Sequence, residues 1–143
     1  MRLFSVMILV AACGVDGGAD TTDPTRFIGR WRISAMTGST MCADGRNTPT
    51  DPSSFIGQVV SVTSSGAKVN LDYGQGCPML HAPRGSTATL DPAPVVCKDY
   101  RIESSTLTLS GADETLDWTV EDSFTSTEAG NCWVTADFTA AKL

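Results

Sequence analysis

The stretch Ala67-Lys68-Val69-Asn70-Leu71-Asp72-Tyr73 alternates apolar and polar side chains at every position. A period of two puts the apolar side chains on one face of a β-strand and the polar ones on the other. Such a strand has one face against a core and one face in water. Turn-forming residues stand on both sides of it, at 64–66 and 74–76. The stretch therefore predicts a short strand between two tight turns.

Seven other segments share this alternation or a β-rich composition, and they begin at Phe27, Ile56, Cys77, Thr87, Tyr100, Leu116 and Cys132. Gly, Pro, Asn and Asp separate most of them, as in a series of hairpins. A sequential meander protects its edges only by closing on itself. The sequence therefore predicts an all-β fold, an eight-stranded antiparallel up-and-down meander barrel that occupies residues 27–143.

Three details of this barrel follow from the alternation. Trp31, Ile33 and Ala35 are expected to share the inward face of the first strand, and Ile56 is expected to begin the second. A phase shift within 100–110 predicts a β-bulge near Ser104. Two connections, 42–55 and 91–99, are too long for hairpin turns.

Composition excludes several classes of protein. Of the 143 residues, 41% are apolar and 18% are charged, which is too apolar and too weakly charged for a fully disordered chain. The net charge of −6 opposes binding to nucleic acid or to an anionic membrane surface. The length fits one domain.

The first residues have the pattern of an export signal. Met1-Arg2 precedes an apolar run at 3–12 that is too short to span a bilayer. Val10-Ala11-Ala12-Cys13-Gly14 resembles the lipobox of bacterial lipoproteins. The resemblance implies that residues 1–12 are a lipoprotein signal peptide, that Cys13 carries acyl chains such as palmitate, and that the protein belongs to the cell envelope. Gly14 is not acidic, which in that family favours the outer membrane. An ordinary signal peptide with a chance cysteine is the alternative.

Residues 13–26 are rich in Gly, Asp and Thr and have no apolar period. Such a composition predicts a flexible tether between anchor and barrel. An ordered N-terminal arm is the alternative.

Four cysteines remain besides Cys13, and an oxidising envelope favours two disulfides with three possible connectivities. In a closed meander the first and last strands are antiparallel neighbours, which places Cys42 opposite Cys132. Cys77 and Cys97 then form the second disulfide. A zinc site is disfavoured because no Cys-x-x-Cys occurs and only one His is present.

The segment Gly29-Arg30-Trp31 resembles the Gly-x-Trp opening of the lipocalin superfamily. The resemblance implies that Trp31 plugs one end of an eight-stranded barrel, that the loop after the first strand lies at the lid position, and that Lys142 takes the place of an arginine that covers the tryptophan. A later loop motif of that family is not recognisable. A chance strand start with a core tryptophan is the alternative.

Catalytic motifs are absent from the sequence: it has no P-loop, GxGxxG, HExxH or Gly-x-Ser-x-Gly. His81 is interpreted as a partly buried strand residue. The pairs at 113–114 and 121–122 could serve a glycosidase, but charges that flank a strand usually solvate its ends. Asp44, Asn47 and Asp51 could collect calcium, but their spacing lacks the regular oxygens of an EF-hand.

We expect no cofactor and no metal, and we expect Trp31, Trp118 and Trp133 to belong to the core. The sequence predicts a non-enzymatic, lipid-anchored envelope protein. A small ligand would be apolar and would enter near the loop 42–55, although barrels of this size are also filled by side chains. The alternative is a protein-interaction or hydrolase-inhibitor module with a filled barrel, and an enzyme is a third candidate.

Overall fold

The computed structural model describes residues 23–74 and 76–143. This part of the chain forms two short 3-10 helices, η1 (Pro24–Arg26) and η2 (Pro52–Ser54), and ten strands. The strands are β1 (Gly29–Cys42), β2 (Asn47–Pro49), β3 (Val59–Ser65), β4 (Lys68–Asp72), β5 (Met79–Arg84), β6 (Thr87–Leu90), β7 (Val95–Val96), β8 (Arg101–Ser110), β9 (Thr115–Ser126) and β10 (Gly130–Lys142).

Eight of these strands close into an antiparallel barrel. Neighbours follow the order β1, β3, β4, β5, β6, β8, β9, β10, and β10 then pairs with β1 from Trp31↔Lys142 to Cys42↔Cys132. The predicted all-β meander barrel is therefore confirmed. The two long connections contain the remaining strands: β2 pairs with β1, and β7 pairs with β8.

A bulge in β1 corrects one predicted face. The pairing of β1 with β10 shifts between Ile33 and Ala35, and the Ser34 hydroxyl donates to the Thr139 carbonyl at 3.1 Å. Because the bulge adds one residue, the alternation changes phase. Ala35 is exposed and Met36 is buried instead.

Ile56 also departs from the expectation. It follows η2 rather than beginning a strand, and its side chain is half exposed. Asp51 and Pro52 start that helical turn, because the Asp51 carboxylate accepts from the Ser53 backbone N–H. The predicted bulge in β8 is present, since its pairing with β9 shifts between Ile102 and Ser104.

One end of the barrel, which we call the plugged end, is closed by side chains. Trp31 is fully buried there, its Nε1 donates to the Phe27 carbonyl at 3.0 Å, and the Lys142 ammonium lies 5.2 Å from its ring centroid. Arg26 of η1 forms two hydrogen bonds to the Asp113 carboxylate, at 2.7 and 2.8 Å. Residues 24–26, assigned by sequence to the tether, are thus packed against the barrel.

The opposite end, which we call the open end, carries both disulfides. Cys42 pairs with Cys132 where β1 ends and β10 begins, with their Cα atoms 4.0 Å apart. Cys77, in the connection between β4 and β5, pairs with Cys97, between β7 and β8, with Cα atoms 5.9 Å apart. This is the pairing that barrel closure predicts.

The predicted signal peptide 1–12, the lipid site Cys13 and the tether up to residue 22 lie outside the described residues, so they stay predictions. Within the described part, no helix has the length and apolar character needed to cross a bilayer.

Candidate functional site

The interior of the barrel contains a cavity of about 250 Å³ toward the open end. Its wall is mostly apolar and comes from β1, β9, β10, the connection around η2 and the residues next to β4 and β8. The lining side chains are Met36, Thr50, Phe55, Tyr73, Tyr100, Trp118, Val120, Asp122, Phe124, Val134, Ala136 and Phe138.

Aromatic rings form one continuous side of this cavity. Trp118 stacks on Phe138 with centroids 4.5 Å apart, and Tyr73 lies 5.2 Å from Trp118. Phe55, from the long connection after β1, packs edge-on against Phe138 at 5.6 Å. The connection 43–58 thus supplies part of the cavity wall, at the position where the sequence predicts a ligand to enter.

Asp122 is the one charged side chain that lines the cavity within the described residues. Its Oδ1 is buried and accepts no hydrogen bond from any residue there. Burial raises the pKa of this carboxyl to about 6, because the ionised form loses water.

The interpretation of Glu121 and Asp122 as a solvated pair at a strand end is therefore wrong. β9 continues to Ser126, so the two side chains point to opposite faces of the sheet. Glu121 is exposed and accepts from the Ser104 hydroxyl at 3.0 Å. The available signal was the continued alternation of Trp118, Val120, Asp122 and Phe124.

Two phenols lie near this carboxyl. The hydroxyls of Tyr73 and Tyr100 are 3.1 Å apart, and both side chains line the cavity. Burial and the hydrogen bond to Tyr100 raise the pKa of Tyr73. Tyr73 therefore stays a neutral hydrogen-bonding group.

A buried polar network lies directly under the cavity. His81 Nε2 is 2.8 Å from the Ser105 hydroxyl, and the same hydroxyl accepts from Trp118 Nε1 at 2.9 Å. His81 Nδ1 is 3.0 Å from the Met79 carbonyl. Each polar atom of this network has a partner, so it orients Trp118 from below.

This serine–histidine contact does not have the access that nucleophilic catalysis needs. His81 is fully buried and Ser105 is 3% exposed. Burial lowers the pKa of His81 to about 4, so the ring is neutral near pH 7. The expected strand position of His81 is correct, and the side chain is more deeply buried than expected.

Three of the other acidic candidates have partners within the described residues. Asp113 binds Arg26, Asp44 binds Arg46, and Asp51 caps η2. The described residues contain no group of three or more His, Cys, Asp or Glu side chains able to hold a metal ion. Asn47 lies in β2 and is exposed.

Trp133 corrects the expectation that all three tryptophans belong to the core. Trp31 and Trp118 are buried, whereas Trp133 is half exposed on the outer face of β10. It pairs across the strands with Met41, which is also exposed. A shallow outer groove of about 460 Å³ runs from Trp133 past Arg101 to Val96.

Comparison with known proteins found no matching family model, no matching curated protein and no matching solved structure.

Proposed function

We propose that this protein binds a small apolar molecule in the cavity at the open end of its barrel, without chemical transformation, and that it does so from a lipid anchor in the cell envelope. The observation that carries the proposal is the apolar cavity, walled by Trp118, Phe138 and Phe55. Ligand pockets are typically concave, mostly apolar and furnished with a few polar groups.

The size of the cavity restricts the ligand. Pockets for drug-sized ligands hold about 300–1,000 Å³, whereas this one holds about 250 Å³. A ligand of at most about three aromatic rings or a short alkyl chain suits this volume. The eight-stranded barrel and the contact of Lys142 with Trp31 support the lipocalin resemblance, in which a barrel carries such a ligand.

The envelope location rests on the sequence around Cys13 and on the two disulfides. Disulfides persist in oxidising compartments such as the periplasm. A chain with two acyl groups on Cys13 would be stably held at a membrane, since one chain alone binds marginally. The membrane that we propose for the anchor is the outer membrane.

Ligand binding is tested by titrating the protein with the neutral dye N-phenylnaphthylamine and following its fluorescence. We expect saturable enhancement that Ala136→Phe abolishes, because the new ring fills the cavity. Ala141→Phe is the matched control, since Ala141 lies on the same strand but is exposed. Absence of saturable binding, or equal binding by both variants, would overturn the proposal.

Anchoring is tested separately by fractionating cells that express the full chain with Cys13 or with Cys13→Ser. We expect the original chain in the membrane fraction and the variant in the soluble fraction. A membrane-bound Cys13→Ser variant would reject lipid attachment at this residue.

The exposed Trp133 and Met41 favour a second function, recognition of another envelope protein. Adjacent exposed apolar side chains mark interaction surfaces more often than scattered ones do. Crosslinking in intact envelopes should trap one protein partner, and Trp133→Ser should abolish it while dye binding is kept. Crosslinking unaffected by Trp133→Ser would reject this surface.

A further inference from the structure

We propose that the cavity selects a ligand with a protonated amine next to its apolar body, and that the Asp122 carboxylate is the group that recognises the amine. This inference rests on the proposed function and names the chemical class of the ligand. It follows from the position of one carboxyl group in an otherwise apolar cavity.

The geometry leaves Asp122 without a partner in the protein. Its cross-strand neighbours are Ile102 on β8 and Val134 on β10, which have no hydrogen to donate from their side chains. The buried Oδ1 accepts no hydrogen bond within the described residues. An unpaired buried acceptor costs about 1–3 kcal/mol, so a donor from a ligand is favoured at this position.

The charge around the cavity has one sign. Asp122 is the sole ionisable carboxyl or amine among the lining residues, and no Lys or Arg of the described chain lines the cavity. The other titratable groups nearby are the phenols of Tyr73 and Tyr100 and, beneath Trp118, the neutral His81. A fatty acid would place a second carboxylate beside the first, which is repulsive.

The aromatic wall adds a second attraction for a cation. Trp118, Phe138 and Tyr73 line the same cavity as the Asp122 carboxyl, and each of these rings lies within 5.2 Å of another, centroid to centroid. Aromatic faces attract ammonium groups within about 6 Å of the ring centroid. An amine would therefore gain from both the carboxylate and the rings, while its apolar part fills the remaining cavity.

The test compares octylamine, octanol and octanoate as competitors that displace N-phenylnaphthylamine at about pH 8. The three share one alkyl chain and differ only in the head group. We expect octylamine to bind at least tenfold more tightly than octanol, and octanoate to bind most weakly. An order in which octanoate equals or exceeds octylamine would overturn the inference.

Two variants assign the preference to the residue. Asp122→Asn should reduce the ratio of octylamine to octanol affinity to within about threefold, while octanol still binds. Glu121→Gln is the matched control, because it removes one negative charge from the adjacent position on the outer face. An equal loss of preference in both variants would indicate a net-charge effect and reject recognition by Asp122.

The pH dependence of amine binding provides an independent test on the unmodified protein. Protonation of Asp122 below about pH 6 removes the anion, so octylamine affinity should fall at least fivefold from pH 8 to 5, while octanol affinity stays constant. Failure of the dye itself to bind would reject the proposed function. Dye binding without amine preference would reject only this inference.

Discussion

The two ends of the barrel are stabilised in different ways. At the plugged end, Trp31 fills the interior, Lys142 covers its ring and Arg26 pairs with Asp113. At the open end the interior is incompletely filled, and two disulfides hold the strands. Packing therefore maintains the end that is full, and covalent links maintain the end that holds the cavity.

Buried polar groups also differ between the packed interior and the cavity at the open end. The network of His81, Ser105 and Trp118 under the cavity satisfies every polar atom that it buries. Asp122, within the cavity, has a buried oxygen without a partner. Unsatisfied groups of this kind are costly in a folded protein and often serve function. The contrast places the unpaired Asp122 acceptor in the cavity of the open end, where the ligand site is proposed.

Removal of the disulfides tests whether covalent links stabilise the open end, and it should give the largest loss of stability. Replacing Cys42 and Cys132 by Ser should lower the free energy of unfolding by up to about 4.6 kcal/mol, because that link spans 90 residues. Replacing Cys77 and Cys97 should lower it by about 3.3 kcal/mol, for a span of 20. Urea denaturation measures both. A larger loss from the shorter link would contradict the chain-entropy account.

Trp31→Ala should lower the free energy of unfolding by about 3–5 kcal/mol, since it empties the plugged end. Trp133→Ala is the control for loss of a tryptophan from an exposed position, and it should change stability by about 0.5 kcal/mol or less. Thermal denaturation followed by circular dichroism measures both. Similar losses in the two variants would show that the plugged end is not held by packing.

Ser105→Ala should destabilise the barrel by about 2–3 kcal/mol, because it leaves Trp118 Nε1 and His81 Nε2 without partners. Urea denaturation at neutral pH measures the loss. Ser104→Ala, on the exposed face of β8, is the control and should have little effect. If Ser105→Ala left the stability unchanged, the network would not orient Trp118.

Asp122→Asn should raise the free energy of unfolding, whereas the preceding substitutions lower it. Its effect should also be the smallest of the series. The folded pKa of about 6 lies above the usual 3.8, so burial is unfavourable for the ionised form, and this penalty grows as pH rises from about 4 through 6. We expect the variant to be more stable by about 1 kcal/mol at pH 8, a value reduced by solvent screening of a partly exposed group. The difference should disappear near pH 4.

The pH dependence of the stability of Asp122→Asn also reveals the contribution of His81. Its folded pKa of about 4 lies below the usual 6.5, so stability is fully present above 6.5 and is lost as pH falls toward 4. In the original chain this loss opposes the gain from protonation of Asp122. Urea denaturation of Asp122→Asn across this range should show a steeper acid loss than the original chain. A less steep loss would contradict both assignments.

The strand pattern and the barrel closure could be predicted because period-two alternation is local. Val69 and Leu71, in the alternating stretch 67–73, lie inside as expected. The pairing of Cys42 with Cys132 followed from closure alone. These features depend on few contacts beyond neighbouring strands.

The errors in the sequence-based predictions have separate causes. The bulge at Ser34 depends on the register with β10, which the local sequence of β1 does not encode. Trp133 is exposed because its strand phase places Val134 and Ala136 inside. Asp122 was misassigned because a carboxyl in a barrel interior contradicts the ordinary preference for water.

The side from which the chain enters the barrel has a consequence for the proposed lipid anchor. Residues 23–27 join at the plugged end, and the Leu143 backbone N–H donates to the Arg30 carbonyl at the same end. If Cys13 is acylated as proposed, the chain that leads from it reaches the barrel at the plugged end, opposite the end that holds the cavity.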